Sequence, residues 1–458
     1  MLIPDCSQHY TMSELTNDEL LSRIRQLELE NDALKQQVGL SIKKSTPDSS
    51  SDYDAKFPKI DDNFSLDEYK RYGRQMIVPK FGSLPSQIKL KNSLILVVGA
   101  GGLGCPALLY LSAAGIGEIG IIDDDTVDTS NLHRQVLHST ETVGAYKCES
   151  AKSYINKLNP HVKVHTYPFR LSNENAFEIV AKYDVVLDCT DTPATRYLIN
   201  DVSVLCGKTI VSGSGLKTDG QLSILNFENT GPCYRCFYPT PPSPDSVTSC
   251  SDGGVIGPVI GLVGVTMAVE TLKILTGFYS KDTFKPFLTM YSGYPQQQLR
   301  VFKMRNRQPS CAVCGNTPLI SRTSVENSEI DYSAFCGKVN PNILEQKHRV
   351  DVHGYNKTIG TRAVLLDVRP KEQFQITKLS NSINIPWDPT FKKLDSVESY
   401  LPETFDKEND KIYVICRYGN DSQLATKKLL DLGFTNVKDI IGGLNKWSDE
   451  IDAKIPKY

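Results

Sequence analysis

The sequence predicts an α/β protein with two parallel-sheet units of unequal size. Between Ser65 and about Glu270, apolar strand-like runs alternate with helical patterns, which is typical of a mostly parallel sheet covered by helices. A second, smaller alternation follows a polar segment near residues 321–351. At 458 residues the chain also exceeds what one ordinary core holds, so we expect two or three domains.

Residues 1–40 are predicted to form a short N-terminal amphipathic helix. Apolar residues recur at heptad a and d spacing over about three heptads, with Asn31 in the skipped position: Leu20, Ile24, Leu27, Leu34 and Val38. A dimerising coiled coil and a solvated amphipathic helix both fit this pattern. Residues 41–64 are rich in Ser, Asp, Lys and Pro, so we expect a flexible linker there.

Strand candidates organise the rest of the chain. In the first unit, residues 65–320, the predicted strands are Ser93–Val98, Ile119–Ile122, Val162–Tyr167, Val185–Leu187 and Ile210–Val211. Residues 321–348 are the expected interdomain linker. In the second unit, residues 349–458, the pattern predicts strands at Ala363–Val368 and Ile412–Ile415 and a helix from Ser422 to Leu432.

Composition narrows the class of function. The formal net charge is −2, so no basic excess indicates direct binding of nucleic acid. The first residues lack a basic stretch followed by an apolar run, so we expect no secretory signal and a cytoplasmic protein. The uncharged residues 92–117 are rich in glycine, which favours a strand, a turn and a buried helix over a membrane span. Without a secretory signal, the twelve cysteines favour metal or thiol chemistry over disulfides.

A glycine-rich turn predicts a nucleotide site. Gly99-Ala-Gly-Gly-Leu-Gly104 follows a predicted strand and precedes an apolar helix, and such glycines let the backbone approach a phosphate at a helix N-terminus. Asp123 lies 24 residues after Gly99, as expected of the acidic residue in a Rossmann-like dinucleotide fingerprint. On this turn alone, a NAD-dependent oxidoreductase is a serious alternative.

The segments after the turn favour ATP over a redox cofactor. Asn131 and Arg134 follow the acidic strand end, Lys147 comes next, and Asp191 follows another predicted strand. Cleavage of ATP between its α- and β-phosphates needs cations and a metal-binding carboxylate, because charge develops on the leaving pyrophosphate. Hydride transfer needs neither, so these residues count against an oxidoreductase.

From Ser65 to about Asn316, these motifs resemble the ubiquitin-activating-type adenylyltransferases, including the segment Arg71-Tyr-Gly-Arg-Gln75. The resemblance implies ATP and Mg²⁺ as ligands. It implies that Asp123 binds the ribose, that Asp191 holds Mg²⁺, and that Arg74 reaches the nucleotide of the other subunit in a homodimer. It also implies a set of nucleotide-lining residues: Gly102, Ser130, Asn131, Leu132, His133, Arg134, Lys147 and Thr192. Thr192 stands where many members have Asn, so its own contact stays open.

Two C-x-x-C pairs predict a zinc ribbon. Four thiolates complete a closed tetrahedral shell, which suits one structural zinc ion per chain; they are Cys233, Cys236, Cys311 and Cys314. The 74 residues between the pairs exceed zinc-finger spacing, so the site would join two distant segments. Redox-active pairs are the alternative, which two such pairs in a cytosolic chain disfavour.

A lone cysteine between the two pairs is a candidate nucleophile. Cys250 follows a proline-rich loop, residues 239–244, and has polar neighbours, whereas a buried inert cysteine would have apolar ones. An incidental loop cysteine is the alternative. The segment is similar to the catalytic-cysteine loop of eukaryotic family members, which implies that Cys250 accepts the acyl group as a thioester or resolves a later intermediate.

The second unit carries another candidate nucleophile. Cys416 lies at a predicted strand end, beside Arg417, on a short loop that opens into a helix. Backbone N–H groups, the helix dipole and the guanidinium all favour an anionic sulfur there. A cysteine-dependent phosphatase would use a longer loop closed by arginine, and Ser422 at the closing position argues against it.

From Arg349 to Trp447 the chain resembles a rhodanese domain, which implies a persulfide on Cys416. The matching segments are Leu366-Asp-Val-Arg369 and Ile441-Gly-Gly-Leu444-x-x-Trp447. We assign Asp367 and Arg369 to the scaffold.

An adenylyltransferase fused to a rhodanese domain resembles a fungal-type eukaryotic family that serves a ubiquitin-related modifier and includes molybdopterin synthase sulfurtransferases. The family implies adenylation of the C-terminal glycine of a ubiquitin-like sulfur carrier, followed by sulfur transfer to a thiocarboxylate. A cysteine desulfurase or another rhodanese would supply the sulfur. The carrier would serve thiolation of transfer-RNA wobble uridines and protein conjugation, or alternatively be the molybdopterin synthase small subunit. We expect no membrane contact. A non-catalytic scaffold is the remaining alternative, which Cys250 and Cys416 disfavour.

Overall fold

The computed structural model of the chain describes residues 64–241, 253–336, 342–393 and 396–458, apart from the side chain of Thr390. The predicted N-terminal helix, nearly all of the linker after it and Cys250 lie outside these residues. The chain divides after Ser65, and the unit Leu66–Tyr458 contains every element described below.

Strands and helices alternate in the first part of this unit, as the sequence predicts. The strands are β1 (Leu94–Val98), β2 (Glu118–Ile122), β3 (Lys163–Tyr167), β4 (Val185–Asp188), β5 (Thr209–Leu216), β6 (Asp219–Leu225), β7 (Phe287–Ser292) and β8 (Gln298–Lys303). The helices are α1 (Leu66–Met76), α2 (Ser83–Lys91), α3 (Gly104–Ala114), α4 (Lys147–Leu158), α5 (Ala176–Val180), α6 (Pro193–Leu205), α7 (Tyr234–Phe237), α8 (Gly257–Thr276), α9 (Arg322–Glu326) and α10 (Tyr332–Phe335).

These strands form one sheet in the order β3-β2-β1-β4-β5-β6-β7-β8. The five predicted strands, β1 to β5, pair in parallel, and β6 to β8 extend the sheet in antiparallel fashion. In β1, Ile95 and Val97 belong to one buried core and Leu96 and Val98 to another, because alternate side chains point to opposite faces. The antiparallel extension was not predicted from the sequence; every residue of β8 is exposed, so this strand carries no buried pattern.

The uncharged residues 92–117 form β1, the glycine turn and α3, as predicted. The helix α8 has 20 residues and is long and apolar enough to cross a membrane by length and composition alone. It packs against α3, β5 and β6 and buries Val263 and Met267 in the same core as α3. A core helix passes the same test of length and hydropathy.

Residues 322–335, expected to belong to the interdomain linker, pack against the first sheet unit. The helices α9 and α10 contact α6, and Val325 and Tyr332 are buried in its core. Their polar composition hides this packing because a short helix needs only one or two apolar side chains to attach to a core. The described chain therefore stays with the first sheet unit as far as Cys336, later than the boundary we expected.

The second part of the unit is a five-stranded parallel sheet in the order β11-β10-β12-β13-β9. Its strands are β9 (Arg349–Val350), β10 (Ala363–Asp367), β11 (Ser382–Asn384), β12 (Lys411–Ile415) and β13 (Val437–Ile440). Its helices are α11 (Val352–Asn356), α12 (Lys371–Ile376), α13 (Pro389–Lys392), α14 (Asp421–Asp431) and α15 (Gly443–Glu450). Both predicted strands and the predicted helix occur, as β10, β12 and α14. Cys416 directly follows the central strand β12.

Candidate nucleotide, metal and sulfur sites

The glycine turn between β1 and α3 is tightly closed. Gly99 has a left-handed backbone with φ +98°, and a Cβ there would lie 2.9 Å from the Cys189 carbonyl oxygen. The N–H of Ala100 donates to Asp123 Oδ2 at 2.7 Å, and the N–H of Asp125 donates to Asp123 Oδ1 at 2.9 Å. Asp123 therefore fixes the turn as well as lining the site above it. Burial raises the pKa of Asp123.

A cavity of about 650 Å³ lies over this turn, at the carboxyl ends of the parallel strands. Its lining includes six of the predicted nucleotide-site residues: Gly102, Asp123, Arg134, Lys147, Asp191 and Thr192. The strand order reverses between β1 and β4, and α/β sheets characteristically bind ligands in the crevice at such a reversal. The volume is that of a site for a small molecule or cofactor.

Two cations face this cavity from ordered positions. Lys147 starts α4 and is buried, with its Nζ 2.8 Å from Asp125 Oδ2. The Arg134 guanidinium donates to Asn131 Oδ1 at 2.5 Å and to the Ser130 carbonyl oxygen at 3.4 Å. Residues 130–133 therefore form the turn that supports Arg134. Among the described residues 130–134, Arg134 alone lines the cavity.

Asp191 and Thr192 lie side by side after β4 but have different environments. The Asp191 carboxylate is exposed towards the cavity, and no described residue donates a hydrogen bond to it. The Thr192 hydroxyl caps α6 by accepting a hydrogen bond from the Thr195 N–H at 3.4 Å, with Pro193 in the first turn. Thr192 therefore caps α6 and also lines the cavity.

Arg196 is a cavity residue that sequence reasoning missed. It lies on the first turns of α6 and donates to the carbonyl oxygens of Thr190 and Gly213, each at 2.8 Å. Its guanidinium also lies 3.3 Å from the buried Asp188 carboxylate. Arg196 thereby holds the end of β4, which presents Asp191. The sequence feature that could have identified Arg196 is its position shortly after Asp191.

Gln135 is a second residue that sequence reasoning missed. Its side chain is buried and lines the cavity beside the glycine turn. Among the described residues, its Oε1 has no hydrogen-bond partner. The Gln135 Oε1 is therefore available to accept a hydrogen bond from a ligand. The only sequence feature that could have identified Gln135 is its position directly after Arg134.

The four predicted zinc ligands converge in space. The Sγ–Sγ distances are 3.5 Å for Cys233–Cys311, 3.4 Å for Cys236–Cys314 and 3.9 Å for Cys233–Cys236, and all four sulfurs lie within 4.8 Å of one another. A tetrahedron with Zn–S bonds of about 2.3 Å has edges of about 3.8 Å. The cluster therefore fits zinc in both donor chemistry and size.

Arg235, inside the first C-x-x-C pair, attaches this cluster to the core. Its guanidinium forms a buried ion pair with Asp201 of α6, with N–O distances down to 2.7 Å. It also lies 4.7 Å from the ring centre of Tyr197 and 4.8 Å from that of Phe335. The Tyr332 hydroxyl donates to the same Asp201 carboxylate at 3.0 Å. The cysteine cluster, α6 and α10 thus share one buried polar anchor.

Cys416 lies on the loop between β12 and α14. Its Sγ accepts a hydrogen bond from the Gly419 N–H at 3.1 Å and lies 3.5 Å from the Ser422 hydroxyl. Burial raises the pKa of the Cys416 thiol, and the contacts with Ser422 and Gly419 act in the opposite direction. The loop therefore offers hydrogen-bond donors to an anionic sulfur in an otherwise buried place.

The segment Ile441-Gly-Gly-Leu444, which leads into α15, holds the Cys416 loop in place. The carbonyl oxygens of Cys416 and Arg417 accept hydrogen bonds from the N–H groups of Leu444 and Asn445 at 2.9 and 3.1 Å. Gly443 has φ +59°, and a Cβ there would overlap the Cys416 carbonyl oxygen. With its carbonyls turned towards α15, the loop can turn N–H groups towards the sulfur.

Asp367 and Arg369 form a buried bidentate ion pair, consistent with the scaffold role assigned from the sequence. Arg369 also donates to the Tyr458 hydroxyl at 2.7 Å, and the Arg417 guanidinium lies 4.5 Å from the Tyr458 ring centre. The scaffold pair is thus connected to the residue beside Cys416.

Arg74 does not line the cavity of its own chain. It is exposed on α1, and the neighbouring Gln75 donates to the Ala114 carbonyl oxygen at 2.9 Å. Ala114 ends α3, whereas the glycine turn precedes the start of that helix, about 16 Å away for 11 residues.

Comparisons with known proteins agree with this architecture. Residues 72–313 match the ThiF family and residues 352–450 match the rhodanese-like domain. The Debaryomyces hansenii protein "Adenylyltransferase and sulfurtransferase UBA4" is 68% identical over 452 residues, which cover 98% of this chain and 100% of that protein. The Saccharomyces cerevisiae (strain YJM789) protein of the same name is 51% identical over 458 residues, with 98% and 100% covered. A crystal structure of E. coli MccB aligns with a TM-score of 0.47 at 24% identity, over 55% of this chain and 74% of that chain. With its ThiF and rhodanese-like domains, the chain belongs to the family of enzymes named adenylyltransferase and sulfurtransferase UBA4.

Proposed function

We propose that this enzyme adenylates the C-terminal glycine of a ubiquitin-like sulfur-carrier protein and then converts it to a thiocarboxylate. The observation that carries the proposal is the presence in one chain of two complementary sites. One is a cavity over a glycine turn, with Lys147, Arg134 and an uncommitted Asp191. The other is a thiol, Cys416, on a loop that directs a backbone N–H at its sulfur.

The cavity suits the activation step. Asp123 retains acceptor capacity for ribose hydroxyls, because each carboxylate oxygen uses only one of its lone pairs on the turn. Arg134 and Lys147 would balance the phosphate charge, and the exposed carboxylate of Asp191 would hold a Mg²⁺ ion, which would supply further positive charge against the phosphates. A carrier carboxylate oxygen then attacks the α-phosphorus, and pyrophosphate leaves.

The active form would be a homodimer. Arg74 lies at the far end of α3 from its own glycine turn, and it is exposed where another subunit could place its cavity. A guanidinium supplied in this way would add positive charge at the leaving pyrophosphate. The four cysteines would hold one zinc ion per chain in a closed shell, which suits a structural role.

Cys416 would carry the sulfur as a persulfide delivered by a cysteine desulfurase or another rhodanese. Its outer sulfur attacks the adenylate carbonyl and AMP leaves, which gives an acyl disulfide between the carrier and Cys416. A thiol then attacks the Cys416 sulfur, the thiocarboxylate leaves with the electron pair of the broken S–S bond, and a second thiol reduces the disulfide that forms. Cys250 would accept the acyl group as a thioester or resolve the acyl disulfide; it lies outside the described residues, so this role rests on its sequence context. The reaction would take place in the cytoplasm without direct contact with nucleic acid or membrane, and the carrier would serve thiolation of transfer RNA and protein conjugation.

The replacement Cys416→Ser tests the proposal. A hydroxyl cannot form a persulfide, so this enzyme should retain carrier-dependent exchange of pyrophosphate into ATP but form no thiocarboxylate. The measurement is mass spectrometry of the carrier after incubation with ATP and a sulfur donor, which detects the replacement of oxygen by sulfur. Using a ubiquitin-related modifier and a molybdopterin synthase small subunit as carriers in parallel also determines which one is served. Wild-type thiocarboxylate formation by Cys416→Ser would contradict the assignment.

A further inference from the structure

Gln423 is a buried residue next to the Cys416 loop that no step above uses. It lies in the first turn of α14 and is 2% exposed. Its Nε2 donates to the Gly419 carbonyl oxygen at 2.8 Å, and its Oε1 accepts from the Ile343 N–H at 3.3 Å. A flipped amide would face a carbonyl with its oxygen and an N–H with its amino group, so both contacts require the same orientation.

The first contact acts on the residue that contacts the sulfur. Gly419 donates its N–H to Cys416 Sγ at 3.1 Å and has a left-handed backbone with φ +86°. The Gln423 amide binds the carbonyl oxygen of the same glycine. Because Gly419 is conformationally permissive, its carbonyl contact helps to define where its N–H points.

The second contact reaches the segment that connects the two sheet units. Ile343 follows Cys336, the last described residue packed with the first unit, by only seven residues. Such a stretch spans at most about 25 Å when fully extended. The adjacent Asn342 accepts a hydrogen bond at 2.8 Å from Arg349, which pairs with the buried Asp439 at 3.0 Å. The segment is therefore anchored to the second sheet where it meets Gln423.

We infer that Gln423 is a positioning residue for sulfur transfer: it holds the Gly419 N–H against the Cys416 sulfur and couples this contact to the segment arriving from the adenylyltransferase unit. The inference rests on the proposed role of Cys416. A hydrogen bond to a charged group contributes enough that weakening this one should reduce sulfur transfer about tenfold.

The test uses the full chain with thiosulfate and cyanide as probes. The Cys416 thiolate attacks the outer sulfur of thiosulfate, and sulfite leaves with the electron pair of the broken S–S bond. Cyanide then takes the outer sulfur as thiocyanate and regenerates the thiolate. Gln423→Met, which removes both contacts, should lower kcat/KM for thiosulfate about tenfold at neutral pH and leave carrier-dependent pyrophosphate exchange unchanged. Lys427→Met, at an exposed site on the same helix, is the matched control.

The pH profile separates positioning from a general loss of folded enzyme. With a weaker N–H contact the thiolate is harder to form, so the pH of half-maximal kcat/KM should rise in Gln423→Met. The charged groups around the sulfur are Arg417 on the loop, Asp421 on α14 and the Asp367–Arg369 pair at the end of β10, while α15 presents the uncharged Gly443 and Leu444. None of these groups is changed by the substitution. A lower rate with an unshifted profile would overturn the positioning role.

A double-mutant cycle tests the coupling. Ile343→Pro removes the N–H that donates to Gln423 Oε1 and also changes the side chain and backbone at that position. Its effect on kcat/KM should therefore be smaller in the Gln423→Met background than in the wild type, whereas strictly additive effects would overturn the coupling. If Gln423→Met does not fold, Gln423→Glu replaces it: the carboxylate keeps the acceptor for Ile343 and loses the donor to Gly419, so the same loss is expected. Thiocyanate formation by Cys416→Ser would refute the proposed function itself. If Cys416→Ser forms no thiocyanate but Gln423→Met forms it at the wild-type rate, only this inference is refuted.

Discussion

Asp123 and Asp191 line the same cavity but differ in what their oxygens already contact. Both oxygens of Asp123 accept backbone N–H groups, and burial raises its pKa. The Asp191 carboxylate accepts none from the described residues and faces the cavity. A carboxylate that holds a turn is suited to a fixed ribose contact, whereas an uncommitted one is suited to a cation whose ligands must rearrange.

The replacement Asp191→Ala is expected to abolish carrier-dependent exchange of pyrophosphate into ATP. Loss of one such electrostatic contributor typically costs about 10²–10³ in rate, and loss of a bound metal ion adds to this. The measurement is radiolabelled pyrophosphate exchange at saturating ATP and Mg²⁺. Asp282→Ala, an exposed site in the same unit, is the control, and exchange by Asp191→Ala at the control rate would reject the metal assignment.

At the scale of elements, the Cys416 loop depends on α15 as much as on its own residues. Gly443 provides the close approach at which two loop carbonyls accept hydrogen bonds from the start of that helix. The motif that contains Gly443 thus orients the loop without touching the sulfur.

Gly443→Ala is therefore expected to impair sulfur transfer while adenylation continues. A Cβ would force the loop carbonyl of Cys416 away, and the added backbone strain is on the order of 1–3 kcal/mol. Gly360→Ala is a matched control, because Gly360 also has a positive φ, of +88°, but a Cβ there would meet open space. Thiosulfate-to-cyanide transfer is the assay, and equal rates for the two variants would show that the contact is dispensable.

The cysteine cluster joins two elements that are far apart in sequence. The pair at α7 and the pair after β8 meet beside α6, where Arg235 and Asp201 form their buried anchor. A bound ion would therefore fasten the segment after the antiparallel extension to the main core.

We expect one zinc ion per chain by metal analysis of the purified protein. Cys311→Ser should lower the zinc content and the thermal stability, because apparent binding energies for structural zinc are about 10–16 kcal/mol. Cys206→Ser, which changes a half-buried thiol outside the cluster, should alter neither. Folded, active wild-type enzyme that contains no zinc would contradict the prediction.

For the whole molecule, the position of Arg74 relates activity to assembly. It is exposed at the end of α3 away from its own cavity, so any contribution of Arg74 to catalysis would be made in the cavity of another copy of the chain.

Mixing inactive Arg74→Ala chains with inactive Asp191→Ala chains should therefore restore part of the exchange activity. A mixed dimer contains one cavity with an intact Asp191 and an intact Arg74 from the opposite subunit. Pyrophosphate exchange after subunit mixing is the measurement, with demonstrated subunit exchange as the control. If exchange of subunits occurs and no activity returns, Arg74 does not act across an interface.

Sequence patterns by themselves determined the order of the chain's parts. Strand and helix periodicity placed β1 to β5, β10, β12 and α14, since burial on one or both faces leaves a local record in the choice of residues. The glycine turn and the C-x-x-C pairs were equally readable, because each requires particular residue types at short spacing. The assignments of Cys250 and of the N-terminal helix remain predictions from these patterns.

Only the tertiary structure decided which of these local features meet. The Sγ–Sγ distances of 3.4–3.9 Å in the cysteine cluster, the packing of α9 and α10 on α6 and the contact of Gly443 with Cys416 join segments distant in sequence. The same holds for Arg196 and Gln423, which also contact the Gly213 carbonyl oxygen and the Ile343 N–H. Local composition carries no record of such partners, because any polar side chain can hydrogen-bond to a backbone that packing brings within reach.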